Sequence, residues 1–170
     1  MSSTPTFAEQ LVELIPRLRR FARSLARSAA DADDIAQAAI ERALVNQDSW
    51  KPGTRLDSWL YRIAQNLWRD ELRAHRRRAE PLDGLDVAGE DGRDSFTRLI
   101  EVGEVAESFH CLPEEQRLVL SLVVLDGLSY QEAADVLEVP VGTIMSRLAR
   151  ARGKLAARMP AEAGRLRAAK

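Results

Sequence analysis

Leu128-Ser129-Tyr130-Gln131-Glu132-Ala133-Ala134-Asp135-Val136-Leu137, followed at once by Glu138-Val139-Pro140-Val141-Gly142-Thr143-Ile144, is the stretch on which the fold turns. Ser129 with Glu132 three residues on is a capping box. The hydroxyl takes the backbone N–H at the third helical position, and the carboxylate reaches back to the N–H of the cap. Ala133 and Ala134 are small enough for a second helix to cross closely. A short turn then opens another helix, whose exposed side carries Ser146, Arg147, Arg150 and Lys154. A short helix, a tight turn and a basic second helix form the pattern of a helix-turn-helix, whose second helix lies in a DNA major groove. The bland alternative is a helical hairpin with a charged, solvated face. The basic helix stands where a groove reader must stand, which favours recognition. A further alternative is that Arg147 or Arg150 is a structural partner of Glu132 or Asp135.

Outward from this stretch the chain reads as helical throughout, without an alternating strand or an internal repeat. Gly127 fits the stop of a helix over Pro113–Asp126, with Pro113 in its first turn, and a helix over about Phe96–Cys111 precedes it. The recognition helix runs from Val141 to Arg158. In the N-terminal half, Phe7, Leu11, Leu14, Leu18, Phe21 and Leu25 form one stripe of a helix over Thr6–Ser28. Asp31 is placed to cap a second helix carrying Ile35, Ala38, Ala39 and Leu44 and ending before Trp50. Lys51-Pro52-Gly53 is a turn. A third helix starts near Asp57 and continues through Leu60, Ile63 and Leu67 into a run of arginines. The expected fold is all-α, with small helical domains over 6–78 and 96–160. A flexible acidic linker over 79–95, with Pro81, Gly84, Gly89 and Gly92 among acids, joins them.

The 170 residues carry 25 Lys+Arg against 26 Asp+Glu, a net charge of −1 that hides strong segregation. Arg62–Arg78 holds six Arg against Asp70 and Glu71, and Thr143–Lys170 holds eight basic residues against Glu162. Between them, Ala79–Glu107 holds nine acids against Arg93 and Arg98. Of the basic residues 22 are Arg and 3 are Lys, forks suited to phosphates and base edges. Two basic blocks around an acidic connector point to nucleic acid.

Enzyme readings fail on inventory. Asp33, Asp34 and Glu41 have no His or Lys near them in sequence, and no Gly-rich phosphate loop exists, so no catalysis, cofactor or metal is expected. One cysteine excludes an internal disulfide framework and a Cys-cluster zinc site. Cys111 itself is expected as a buried small hydrophobe beside Leu112, with a redox role as the alternative. No run of roughly 18 apolar residues exists to enter a membrane. Met1–Pro5 is short and polar, unlike a secretory signal, so a cytoplasmic location is expected.

On the third helix, Trp59, Arg62, Asn66, Asp70 and Arg73 form a strip beside a core stripe of Leu56, Leu60, Ile63 and Leu67. Tyr61, Trp68 and Leu72 lie toward the opposite side. Aromatics interleaved with Arg and Asn suit unpaired bases and their phosphates. For Trp59, Tyr61 or Trp68 taken singly, ordinary core is the better reading.

These residues resemble the extracytoplasmic-function sigma factors, the small two-domain initiation factors of bacterial RNA polymerase. Asp33-Asp34-Ile35-Ala36-Gln37 resembles the family's acidic region 2.2 helix, and Trp59-Leu60-Tyr61-Arg62-Ile63-Ala64-Gln65-Asn66-Leu67 its region 2.3 to 2.4. Leu112-Pro113-Glu114-Glu115-Gln116-Arg117 and Gly142 to Arg152 resemble region 4. Arg42-Ala43-Leu44, Pro52-Gly53-Thr54 and Pro140-Val141-Gly142-Thr143 are similar to the general-stress-response branch in alphaproteobacteria.

The resemblance implies a protein that binds core polymerase and promoter DNA, under an anti-sigma factor covering both domains. Asp33, Asp34, Gln37 and Glu41 would meet the clamp helices of the largest subunit, and the C-terminal domain the flap of the second-largest. Trp59, Arg62, Asn66, Arg69, Arg73, Arg76 and Arg77 would serve the −10 element. Thr143, Met145, Ser146, Arg147, Arg150 and Lys154 would serve the −35 element. Met145 stands where many relatives have Lys or Arg, and Ala149 where some have an aromatic, which shifts weight toward shape and phosphate contacts. Pro140 replaces a frequent capping Ser, so the helix start relies on proline geometry. The rival readings are a sigma-like decoy that binds a regulator without initiating, and an ordinary dimeric helix-turn-helix repressor.

Overall fold

A computed structural model describes residues 5–26, 28–78 and 108–158, and the chain divides into two compact units, 1–91 and 92–170. The expected linker over 79–95, and the expected helix from Phe96 up to residue 107, lie outside the described residues. Every regular element among the described residues is helical.

In the first unit, α1 (Phe7–Leu25) opens on a capping box of its own. Thr6 Oγ1 accepts from the Glu9 N–H at 3.3 Å, and Glu9 Oε2 accepts from the Thr6 N–H at 2.7 Å. Leu11, Leu18, Phe21 and Leu25 of the expected stripe are buried. Helix α2 (Ala29–Val45) is capped by Ser28, whose hydroxyl accepts from the Asp31 N–H at 3.1 Å. This corrects the expectation for Asp31. That residue occupies the third helical position, where its charge complements the positive helix end while its backbone needs a cap upstream. The inward face of α2 is Ala32, Ile35, Ala36, Ala39 and Ala43. Small residues there let α2 lie close to α1 and α3. Leu44 falls off that alanine face and is 46% exposed.

The chain leaves α2 by a 3-10 turn (Gln47–Ser49) and a tight bend in which Gly53 takes φ +90°, a conformation open to Gly without steric cost. Helix α3 (Leu56–Arg78) packs on both α1 and α2. Its buried face is therefore wide: Leu56, Asp57, Leu60, Tyr61, Ala64, Gln65 and Trp68. The core side is rotated relative to the expected stripe, toward Tyr61 and Trp68. The Tyr61 ring lies 4.8 Å from that of Phe21, while Ile63 and Leu67 sit at the half-buried edge. For Tyr61 and Trp68 the structure selects core over base stacking.

In the second unit, α4 (Glu114–Leu120) starts one residue after Pro113, which takes the cap position instead of the first turn. It runs into a π turn, Ser121–Leu125. The turn closes at Gly127, whose φ of +68° and flanking Leu128 N–H to Leu122 O bond of 2.9 Å end the segment. Helix α5 (Tyr130–Leu137) has the capping box expected from Ser129 and Glu132. Glu138 then turns left-handed at φ +55°, and α6 (Val141–Arg158) begins. The Pro140 carbonyl accepts from the N–H groups of Thr143 at 2.8 Å and Ile144 at 3.3 Å, so the backbone bonds of α6 begin at Pro140. Ile144, Leu148, Ala151 and Leu155 of α6 meet Ala133, Ala134, Val136 and Leu137 of α5 and Leu118, Val119 and Leu122 in one core. Cys111 is exposed, not buried as expected. It stands in the turn before α4, where its neighbour Leu112 takes the inward position at 3% exposure.

Candidate nucleic-acid interface

Helix α6 follows the α5 turn as the second helix of a helix-turn-helix. Its buried residues recur at intervals of four, three and four, which fixes its outward side. Gly142, Ser146, Ala149, Arg150 and Gly153 lie there, all exposed. Met145 is on one flank at 54% exposure, and Thr143, Arg147 and Lys154 are on the other. The Ser146 hydroxyl donates to the Thr143 carbonyl at 3.1 Å, leaving its oxygen to accept. Arg150 has no hydrogen bond or ion pair to any other described residue. Arg147 is tied: its Nη2 lies 2.9 Å from Oε2 of Glu115 in the first turn of α4. The expected alternative partners, Glu132 and Asp135, are engaged within α5, by Ser129 and Gln131 respectively. Nothing in the local spacing marks Glu115 as the partner, because the two residues meet only when α4 and α6 pack.

On α3 the rotation of the core turns Arg62, Asn66, Asp70 and Arg73 of the expected strip away from the packed side, while Trp59 at its head is half-buried. Arg62, Arg73 and Arg77 are exposed, and Asn66 and Arg69 are half-buried. The Arg76 side chain lies outside the described set. Trp59 is covered by Phe7, ring to ring at 6.2 Å and near perpendicular, and Phe7 also touches Trp50 at 5.7 Å. Arg73 pairs loosely with Asp70 at 3.6 Å, and its carbonyl accepts from Arg77 Nε at 3.3 Å.

The head of α3 holds a group that the sequence reading missed. Asp57, with its side chain 8% exposed, meets Arg55 at 2.6 Å and Arg17 of α1 at 3.0 Å and accepts from the Ser58 N–H at 2.7 Å. Burial raises the Asp57 carboxyl pKa. The Arg55 bond and charge, the Ser58 N–H and the Arg17 charge outweigh it and hold the group below the ordinary carboxylate value.

On α2, Asp33, Asp34, Gln37 and Glu41 are all exposed and share one side of the helix. Gln37 donates to Glu41 at 3.0 Å, and Asp33 is met by Arg23 of α1 at 3.5 Å. The result is an acidic surface on the side of α2 opposite its alanine face.

Residues 11–65 match the family described as the Sigma2 domain of PhyR, and residues 103–155 match Sigma-70, region 4. The chain is 40% identical over 157 residues to "ECF RNA polymerase sigma factor EcfG" of Rhodopseudomonas palustris (strain TIE-1), covering 92% of this chain and 87% of that one. Similarity to "ECF RNA polymerase sigma factor SigW" of Bacillus subtilis (strain 168) is 33% over 139 residues, 74% of this chain and 73% of that one. Among solved structures, the sigma factor RpoE in complex with the anti-sigma factor NepR from Bartonella quintana superposes with a TM-score of 0.72. It is 26% identical, and the match covers 91% of this chain and 96% of that one.

Proposed function

The chain belongs to the extracytoplasmic-function sigma factors of RNA polymerase, and from that membership we propose a division of labour between its two units. The protein binds core polymerase and directs promoter-specific initiation, consistent with the general-stress-response branch. The first unit, over 6–78, serves core binding and the −10 element. The second, over 96–160, serves the −35 element.

The acidic face of α2, with Asp33, Asp34, Gln37 and Glu41, docks on the clamp helices, and the second unit on the flap. Trp59, Arg62, Asn66, Arg69, Arg73, Arg76 and Arg77 line the path of the −10 strand. Of the six residues expected at the −35 element, Thr143, Met145, Ser146, Arg150 and Lys154 face the groove, and Arg147 is held at its edge by Glu115. An anti-sigma factor that occludes both units holds the protein in check; the similar sigma factor RpoE was solved in complex with the anti-sigma factor NepR.

The observation that carries this reading is the likeness to EcfG over 157 residues, 92% of this chain. Run-off transcription with core polymerase is the test. Transcripts that start at a defined promoter only when the chain is added support it. A sigma-like decoy would give none, and a repressor would bind the promoter without polymerase.

A further inference from the structure

The ion pair between Glu115 and Arg147 joins the first turn of α4 to the second turn of α6. Its ends are unequal: the Arg147 side chain is 19% exposed and that of Glu115 65%. Arg147 therefore lies along the packed flank of α6 and spends its guanidinium on a carboxylate at 2.9 Å. Arg150, one turn on, projects from the outward side. A phosphate or base edge that approached Arg147 would have to share its guanidinium with Glu115, an anion already in place.

The apolar contacts of α6 are a narrow stripe of Ile144, Leu148, Ala151 and Leu155, and a stripe of that width tolerates rolling about the helix axis. A charge-assisted bond on one flank resists that roll. We infer that the Glu115–Arg147 pair is a strut that fixes the rotation of α6, making Glu115 a positioning residue for −35 recognition and Arg147 a brace instead of a base reader. This rests on α6 being the −35 helix.

The test uses holoenzyme assembled from core polymerase and the full chain. Its templates are a duplex promoter that the wild-type holoenzyme uses and the same promoter with its −35 element replaced. E115A and R147A are each expected to lower transcription about fivefold on the intact promoter, the scale of one partly exposed pair. On the replaced template they change nothing, and the melting temperature stays within a few degrees. The charge-swapped E115R/R147E chain is expected to return to within about twofold of wild type, because a strut works in either polarity. A swapped chain as weak as R147A overturns the strut and makes Arg147 a direct contact; so does an E115A chain with wild-type activity. If E115A unfolds its unit, the isosteric E115Q is read in its place. R150A separates the two readings. If neither R150A nor replacement of the −35 element affects the wild-type holoenzyme, α6 is not the −35 helix and the strut's role falls with it.

Discussion

Arg17 on α1 and Asp57 at the head of α3 meet at 3.0 Å across the first unit, with the Asp57 side chain only 8% exposed. The contact ties the start of the helix that carries Trp59 and Asn66 to the helix whose Phe7 covers Trp59. Asp57 thus serves two ends at once. It bonds the Ser58 N–H in the first turn of α3, and it anchors that turn to a neighbour.

The pairing makes the first unit sensitive to acid. A carboxyl whose folded pKa lies below its ordinary value of 3.8 contributes stability that is fully present above that value. The contribution is lost as the pH falls through the lower, folded pKa. Asp57→Asn removes this titration while keeping the shape. The expected result is a variant less stable than wild type near neutrality, with the gap narrowing as pH drops below about 4. Urea unfolding followed by helix signal at several pH values checks it. A gap that stays constant down to about pH 2 would show that Asp57 is not the group concerned.

Tyr61 supports a second prediction. It is fully buried against Phe21, so Tyr61→Ala should cost the first unit about 3–5 kcal/mol through the cavity left behind. Amide hydrogen exchange is expected to show lost protection in α1, α2 and α3. Protection in α4, α5 and α6 should be unchanged if each unit folds on its own core.

Asn66 supports a third. It is half-buried on the outward strip of α3, among exposed arginines. Asn66→Ala should weaken open-complex formation by about 1–3 kcal/mol, the scale of one lost base contact, and leave core binding intact. Transcription from duplex and pre-melted templates separates the steps. Wild-type output on both would remove Asn66 from the melting machinery.

The helix-turn-helix was legible because its signals are local. The Ser129–Glu132 box, Gly127 and the Val141–Arg158 span are encoded within a few residues of where they act. The face of α3 was not legible. Leu60 belongs equally to a stripe with Ile63 and Leu67 and to one with Tyr61, Ala64 and Trp68. Only packing against two helices at once chooses between them. The π turn at Ser121–Leu125 carries no marker residue, and a turn that directs Leu112 inward leaves Cys111 outside. Among the site residues, the exposure of Arg150 followed from helical spacing alone. The tether on Arg147 required a residue about thirty positions away in sequence.

Gly127 offers a test of the turn that aims α5. At φ +68° it is in a region that L residues enter at a cost, yet beyond its two chain neighbours no atom lies within 4 Å of where a Cβ would stand. Gly127→Ala should therefore destabilise the second unit by about 1 kcal/mol from backbone conformation alone. Thermal melting checks the size, and a loss of several kcal/mol would mean that the turn is also sterically closed.

Arg150 gives the sharpest separation of reading from folding. It is exposed on the outward side of α6, one turn beyond Ser146, and makes no hydrogen bond or ion pair to any other described residue. Its replacement by Ala removes no hydrogen bond or ion pair to another described residue, so the folded unit should keep its melting temperature. A side chain that meets a base edge or phosphate contributes about 1–3 kcal/mol to binding, so promoter output should fall by about 5- to 150-fold. The expected signature is a drop confined to promoters with an intact −35 element, with core polymerase still bound. If Arg150→Ala instead lowers the melting temperature and spares the −35 dependence, the outward side of α6 is structural, and DNA must meet the second unit elsewhere.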